Sequence, residues 1–210
     1  NYKNKGTIKD LSLKLNQTIK NSFLKNEISK LYLKDTELNT QYNMAKKNEI
    51  IAKGKYSFKD KDYQNFNLEN KFLKESYNLD INLDISEAFK IITLNYEKEI
   101  NKIGNLVLKI QKKDDDFLIK KFNLTENKNS ILINDLKIIK NSIVSLRKAK
   151  VRTYNKNTLT NDFTLDFAKS IKIYGNNYDA KNLSKLFNKK TKNNLFKKIN
   201  KEIDIDLKNI

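Results

Sequence analysis

At 210 residues the chain is long enough to bury one sizeable core. Its formal charge of +18, from 43 Lys and Arg against 25 Asp and Glu, points to anionic partners. Cys and His are both absent, which excludes disulfides, thiolate nucleophiles, Cys/His metal sites, histidine bases and Ser-His-Asp triads.

Pro is also absent and Gly occurs only four times. A β-domain needs a turn every ten residues or so, and glycine commonly supplies it, so the scarcity of both breakers predicts helices. Residues 1–6 read as the end of a flexible leader or tether. Thr7 and Asp10 resemble a capping box, and Ile8, Leu11, Leu15, Ile19, Phe23, Ile28 and Leu31 follow at helical spacing, predicting a helix over 7–33. Asp35 is placed to cap a second helix carrying Leu38, Tyr42, Ala45 and Ile50, with Gly54 ending it and a loop over 55–62. Residues 64–78 fit a helical face through Phe66, Leu73 and Tyr77.

Leu79, Ile81, Leu83 and Ile85 alternate as in a half-buried strand. With no partner strand expected, they read as an extended linker with an apolar anchor. Phe89, Ile92, Tyr96, Ile100, Ile103, Val107 and Ile110 form a heptad-like stripe, with Ser86 or Asp84 as its cap. Asp114, Asp115 and Asp116 open a short helix with Phe117, Ile119 and Phe122. Three adjacent carboxylates read as dipole-favoured acids in a first turn rather than as a metal site. A second stripe, Leu132, Leu136, Ile139, Ile143 and Leu146, predicts a helix running to about residue 153, antiparallel to the first. Thr160, Asp179 and Thr191 are placed to cap three shorter helices, with Gly175 closing the first of them. The expected architecture is one all-α, bundle-like domain of about seven helices over 7–210.

The positive charge is uneven. Residues 137–156 carry seven basic and no acidic side chains, and residues 179–201 add a net +7. Arg147, Lys148, Lys150 and Arg152 occupy the last turns of the predicted helix, where cations compensate the helix dipole. Joined by Lys189, Lys190, Lys192, Lys197 and Lys198, they would make a polyanion site. Nucleic acid is the alternative partner, bound non-specifically through lysine, because base readout leans on arginine and only two are present. No carboxylate pair, glycine-rich phosphate loop or nucleotide fingerprint stands out, so neither catalysis nor a cofactor is expected.

A Lys/Asn/Ile-rich chain without Cys, His, Pro or Trp, opening on the polar stretch Asn1–Gly6, resembles the mature part of a Borrelia outer-surface lipoprotein. The resemblance covers the whole chain but rests on composition and expected architecture, with no motif to carry a functional residue across. It implies a helical bundle at the cell outer surface, tethered through a lipid anchor outside this sequence. It also implies a non-enzymatic role in adhesion or immune evasion, binding a host protein such as a complement or matrix component, or a glycosaminoglycan. The rival expectation is an intracellular nucleic-acid-binding protein.

Overall fold

In a computed structural model the described residues are almost all strand, 78% of them, with no α-helix among them. The structure describes residues 2–19, 27–43, 47–100, 102–140, 142–167, 169–182 and 201–210. Twelve strands form one sheet: β1 (Tyr2–Ile19), β2 (Ile28–Tyr42), β3 (Asn48–Ser57), β4 (Gln64–Leu73), β5 (Ser76–Ile85), β8 (Gly104–Lys113), β9 (Asp116–Glu126), β10 (Asn129–Ile139), β11 (Ser142–Asn155), β12 (Thr158–Phe167), β13 (Ile171–Asn177) and β14 (Ile203–Asn209). They lie side by side in chain order, each antiparallel to the last, until β14 joins β13 in parallel. Between β5 and β8 the chain makes a small separate ribbon, β6 (Phe89–Ile91) and β7 (Tyr96–Lys98), bridged by a 3-10 turn at Ile92–Leu94.

The expected helical bundle is therefore wrong, and the error has two physical sources. The first is turn chemistry. Four hairpins turn at Lys74, Asp114, Asn127 and Lys156, and these residues take φ of 51, 53, 48 and 55° without glycine. Asn and Asp enter the left-handed region more easily than other side chains, and tight pairing of the flanking strands holds the two lysines there. The Asp114-Asp115 pair forms the β8–β9 turn rather than a helix start, and Asp116 begins β9.

The second source is bulging. Lys109 pairs with Lys121 but Ile110 pairs with Ile119, so Lys120 is an extra residue in β9. Asp135 in β10 and Arg147 in β11 stand at the aligned positions, and the extra residue is absent again in β12. An extra residue switches which parity faces the core. Apolar spacing then reads 2-3-2 instead of 2-2-2, as in Phe117, Ile119, Phe122 and Leu124, which imitates a helical three-to-four step. The stripe from Phe89 to Ile110 is divided among β6, the 3-10 turn, β7 and β8. The stripe from Leu132 to Leu146 folds back on itself as the β10–β11 hairpin.

The individual elements are corrected in the same way. Thr7 and Asp10 lie within β1, residues 2–6 form its start, and Asp35 sits within β2 at φ 47°. Gly54 lies in the middle of β3, where a Cβ would fall on the backbone and hydroxyl of Thr36 in the neighbouring strand. The alternating Leu79–Ile85 segment is a strand after all, paired with β4 on one side and β8 on the other. Asp179 does cap a turn, a 3-10 turn at Ala180–Asn182, where its carboxylate accepts the Lys181 N–H at 3.1 Å. Residues 183–200, with Thr191 and most of the last two predicted helices, lie outside the described residues, whereas Ile203 and Leu207, read as the end of the Thr191-capped helix, lie in β14.

Candidate functional site

Register assigns every strand residue to one side of the sheet, because directly opposed residues share a face. One side collects Leu68, Leu79, Ile81, Leu83, Leu106, Leu108, Ile110, Ile119, Phe122, Leu124, Ile131, Ile133, Leu136 and Leu146. It continues through Phe163, Leu165, Phe167, Ile171 and Ile173 to Ile203, Ile205 and Leu207. At the opposite end it runs through Ala52, Ile50, Leu38 and Leu33 to Leu11 and Leu13. Outside the bulged positions, Lys112 and Glu126 are the only charged residues in register on this side among the described strands. They stand at opposite ends of neighbouring strands, Lys112 with its ammonium 5.8 Å from the Phe117 ring. The other side carries Asn67, Glu69, Asn78, Asp80, Asn82, Asp84, Lys109, Lys121, Lys148 and Lys150.

A sheet with one apolar side normally buries it under a second layer. Here the cover is partial. Phe89 and Tyr96 of the β6–β7 ribbon pack on Leu124, Ile131, Val151 and Phe163, with Leu106, Ile85, Tyr178 and Leu207 around them. A second cluster, Leu146, Phe167 and Ile171 with Leu136 and Ile143, forms where β10 to β13 gather their own side chains. Over β1 to β5, no described element lies across the apolar side, and the strands there contact chiefly their neighbours in the sheet. Leu68, Ile50, Leu79 and Ile81 are accordingly only half-buried. Across all twelve strands, at about 4.8 Å per spacing, the apolar side is roughly 53 Å long.

Within this open region lies Asn70, opposite Ile50 and Leu79. Its Oδ1 is shut off from solvent and finds no hydrogen-bond partner. Aromatic rings flank the region: Tyr42 meets Phe72 edge-to-face at 6.4 Å, and Tyr56 meets Phe66 at 6.1 Å.

The ribbon is pinned to the sheet by polar groups. Lys98 is fully buried, and its ammonium donates to the carbonyls of Ser86, Glu87 and Glu99 at 3.0, 3.0 and 3.1 Å. Burial lowers its pKa, against the opposing pull of Glu126 and Glu87. Glu126 accepts bonds from Asn129 Nδ2 at 2.6 Å, Asn127 Nδ2 at 2.7 Å and Tyr96 Oη at 3.2 Å. Burial first, and then the Glu126 charge, raise the Tyr96 phenol well above its ordinary range. Beside this knot is a polar cleft of about 740 Å³ lined by Lys90, Glu97, Glu126, Asn129, Tyr154 and Asn155. With three donors already on its carboxylate, Glu126 is engaged as a structural acceptor.

The predicted basic site comes apart in the structure. Lys148, Lys150 and Arg152 alternate along β11 and project from the polar side, whereas Arg147 sits at the bulge. There its Nε bonds Asp135 Oδ2 at 2.6 Å, joining the two bulged residues of facing strands. Arg152 is 3.8 Å from Asp162. Lys189, Lys190, Lys192, Lys197 and Lys198 lie outside the described residues. The apolar side itself was missed. Its signal is the alternation of residues 79–85, whose partner strands β4 and β8 do not show the same unbroken period.

No family model, curated protein or solved structure matches this chain.

Proposed function

We propose that this chain holds hydrocarbon, the acyl chains of a membrane lipid, against the apolar side of its sheet, and that its role is to carry rather than to catalyse. The observation that supports this reading is an apolar surface that runs across the sheet, bears no charged residue in register over β1 to β5 outside the bulged positions, and is crossed there by no described element. Exposed apolar patches of several hundred Å² mark binding surfaces. A protein partner would find few polar groups there, whereas protein interfaces carry about one hydrogen bond per 100–200 Å². Hydrocarbon needs none. The open part, β1 to β5, is four spacings or roughly 19 Å across, more than half of the ~30 Å hydrocarbon core of a bilayer, so an extended acyl chain fits along it.

The test is binding of a phospholipid with a fluorescent acyl chain to the delipidated protein. Leu68→Glu and Ile81→Glu place a carboxylate on the apolar side, and each is expected to weaken binding tenfold or more. Asn67→Glu, one residue from Leu68 on the opposite side, is expected to leave binding unchanged. Absence of binding by the unaltered chain, or equal loss in all three variants, would refute the reading.

A second reading keeps the polar side in view. Lys148, Lys150 and Arg152 share that side at successive alternate positions, a spacing suited to a sulfated glycosaminoglycan or another polyanion. Retention on heparin that falls with salt, and disappears when all three are changed to Glu, is the outcome this reading requires.

A further inference from the structure

We infer that copies of this chain join edge to edge, β14 of one against β1 of the next, so that one apolar side continues into another. Both outer strands have a free edge among the described residues. Such edges usually carry protection in the form of proline, bulges, shortness or inward charges. Here the chain has no proline, β14 follows β13 without interruption from Ile171↔Ile203 to Gly175↔Leu207, and β1 pairs evenly with β2 from Tyr2↔Tyr42 to Ile8↔Thr36, its irregularity falling further on, between Lys14 and Ile19. Ile203 and Ile205 remain 57% and 55% exposed on the apolar side of this edge, and Tyr2 is 74% exposed at the other.

Charge completes the match. The polar side of β14 presents Asp204 and Asp206; the polar side of β1 presents Lys3 and Lys5. All four are exposed, and none belongs to an ion pair among the described residues. Alternation of direction through the meander leaves β1 parallel to β13, and β14 runs with β13. A copy translated across the sheet therefore brings its β1 parallel to β14 with both apolar sides facing the same way. Setting Asp204 against Lys3 places Asp206 against Lys5, Ile203 against Tyr2 and Leu207 against Gly6. The contact uses two different surfaces, so it is heterologous and generates open chains unless rotation closes a ring.

Sedimentation velocity of the 210-residue chain across protein concentrations, at low and high salt, tests this directly. The expected result is a series of species that grows beyond a dimer with concentration and shrinks with salt. Asp204→Lys with Asp206→Lys, and separately Lys3→Glu with Lys5→Glu, place like charges at every junction. Each double variant is expected to remain monomeric, with association weakened at least tenfold. Mixing the two restores opposite charges at both junctions, and assembly should return. That recovery also demonstrates that the variants are folded. A monomer at every concentration at low salt, a closed dimer indifferent to these changes, or a mixture that stays monomeric would overturn the inference.

Discussion

An amide buried between Ile50 and Leu79, as Asn70 is, weakens a sheet unless something bonds it. The orphaned Oδ1 gives up its water without recovering a hydrogen bond, a loss of about 1–3 kcal/mol. Asn70→Leu should therefore stabilise the fold by about 1–2 kcal/mol, read as a higher urea midpoint at unchanged slope. A residue that costs stability and stands on the proposed binding surface is one that a ligand's hydroxyl or amide group would satisfy. Lys98 gives the complementary lesson. The sequence analysis does not single it out, yet it is fully buried and tied to three carbonyls. Nothing in the local pattern Tyr96-Glu97-Lys98 separates such a lysine from a surface one, because its partners come from the backbone of other segments.

At the scale of the element, the fold was legible where alternation ran unbroken and illegible where a bulge interrupted it. Leu79 to Ile85 gave the clean two-residue period of a strand, and that reading was right in period but wrong in setting it apart from any sheet. Around Asp135 the step from Ile133 to Leu136 is three residues, and a helical template fits it as readily as a bulged strand. The bulge also has chemistry of its own. Asp135 holds φ 51°, and its carboxylate binds the facing Arg147. A β-branched residue is poorly suited to that conformation. Asp135→Val should thus cost about 1–2 kcal/mol from the backbone, with little added by the lost exposed ion pair. Chemical denaturation of the variant checks the figure, and unchanged stability would mean that the bulge relaxes without strain. The candidate basic site failed for the same reason. Arg147 belongs to the bulge and the cations after it to the polar side, a division that helical spacing conceals.

Taken as a whole, the molecule has no histidine to titrate near neutrality, and two buried phenols give it a pH dependence at the alkaline end. Burial, with the charges of Asp84 and Glu87, raises the Tyr56 phenol, and burial with Glu126 raises that of Tyr96, both above the ordinary value of 10.0. In the folded chain both phenols keep their protons when the unfolded chain has begun to release them. Their stabilising contribution is complete below pH 10 and is lost as pH rises through the folded values. Urea midpoints measured from pH 8 upward should fall above pH 10, and Tyr56→Phe with Tyr96→Phe should reduce that fall. Equal slopes in the two proteins would place the alkaline loss elsewhere.

Because nearly every strand touches only the strand before and the strand after it, the number of strands is not dictated by closure, as it is in a barrel, or by a fixed partner layer, as it is in a sandwich. Removing one hairpin, β4 with β5 for instance, would join two strands that already run the right way with matching sides, and the trough would be shortened by two spacings with its cross-section intact. Extent is thus a quantity that such a scaffold can gain or shed in pairs of strands, by duplication or deletion, without redesigning its ends.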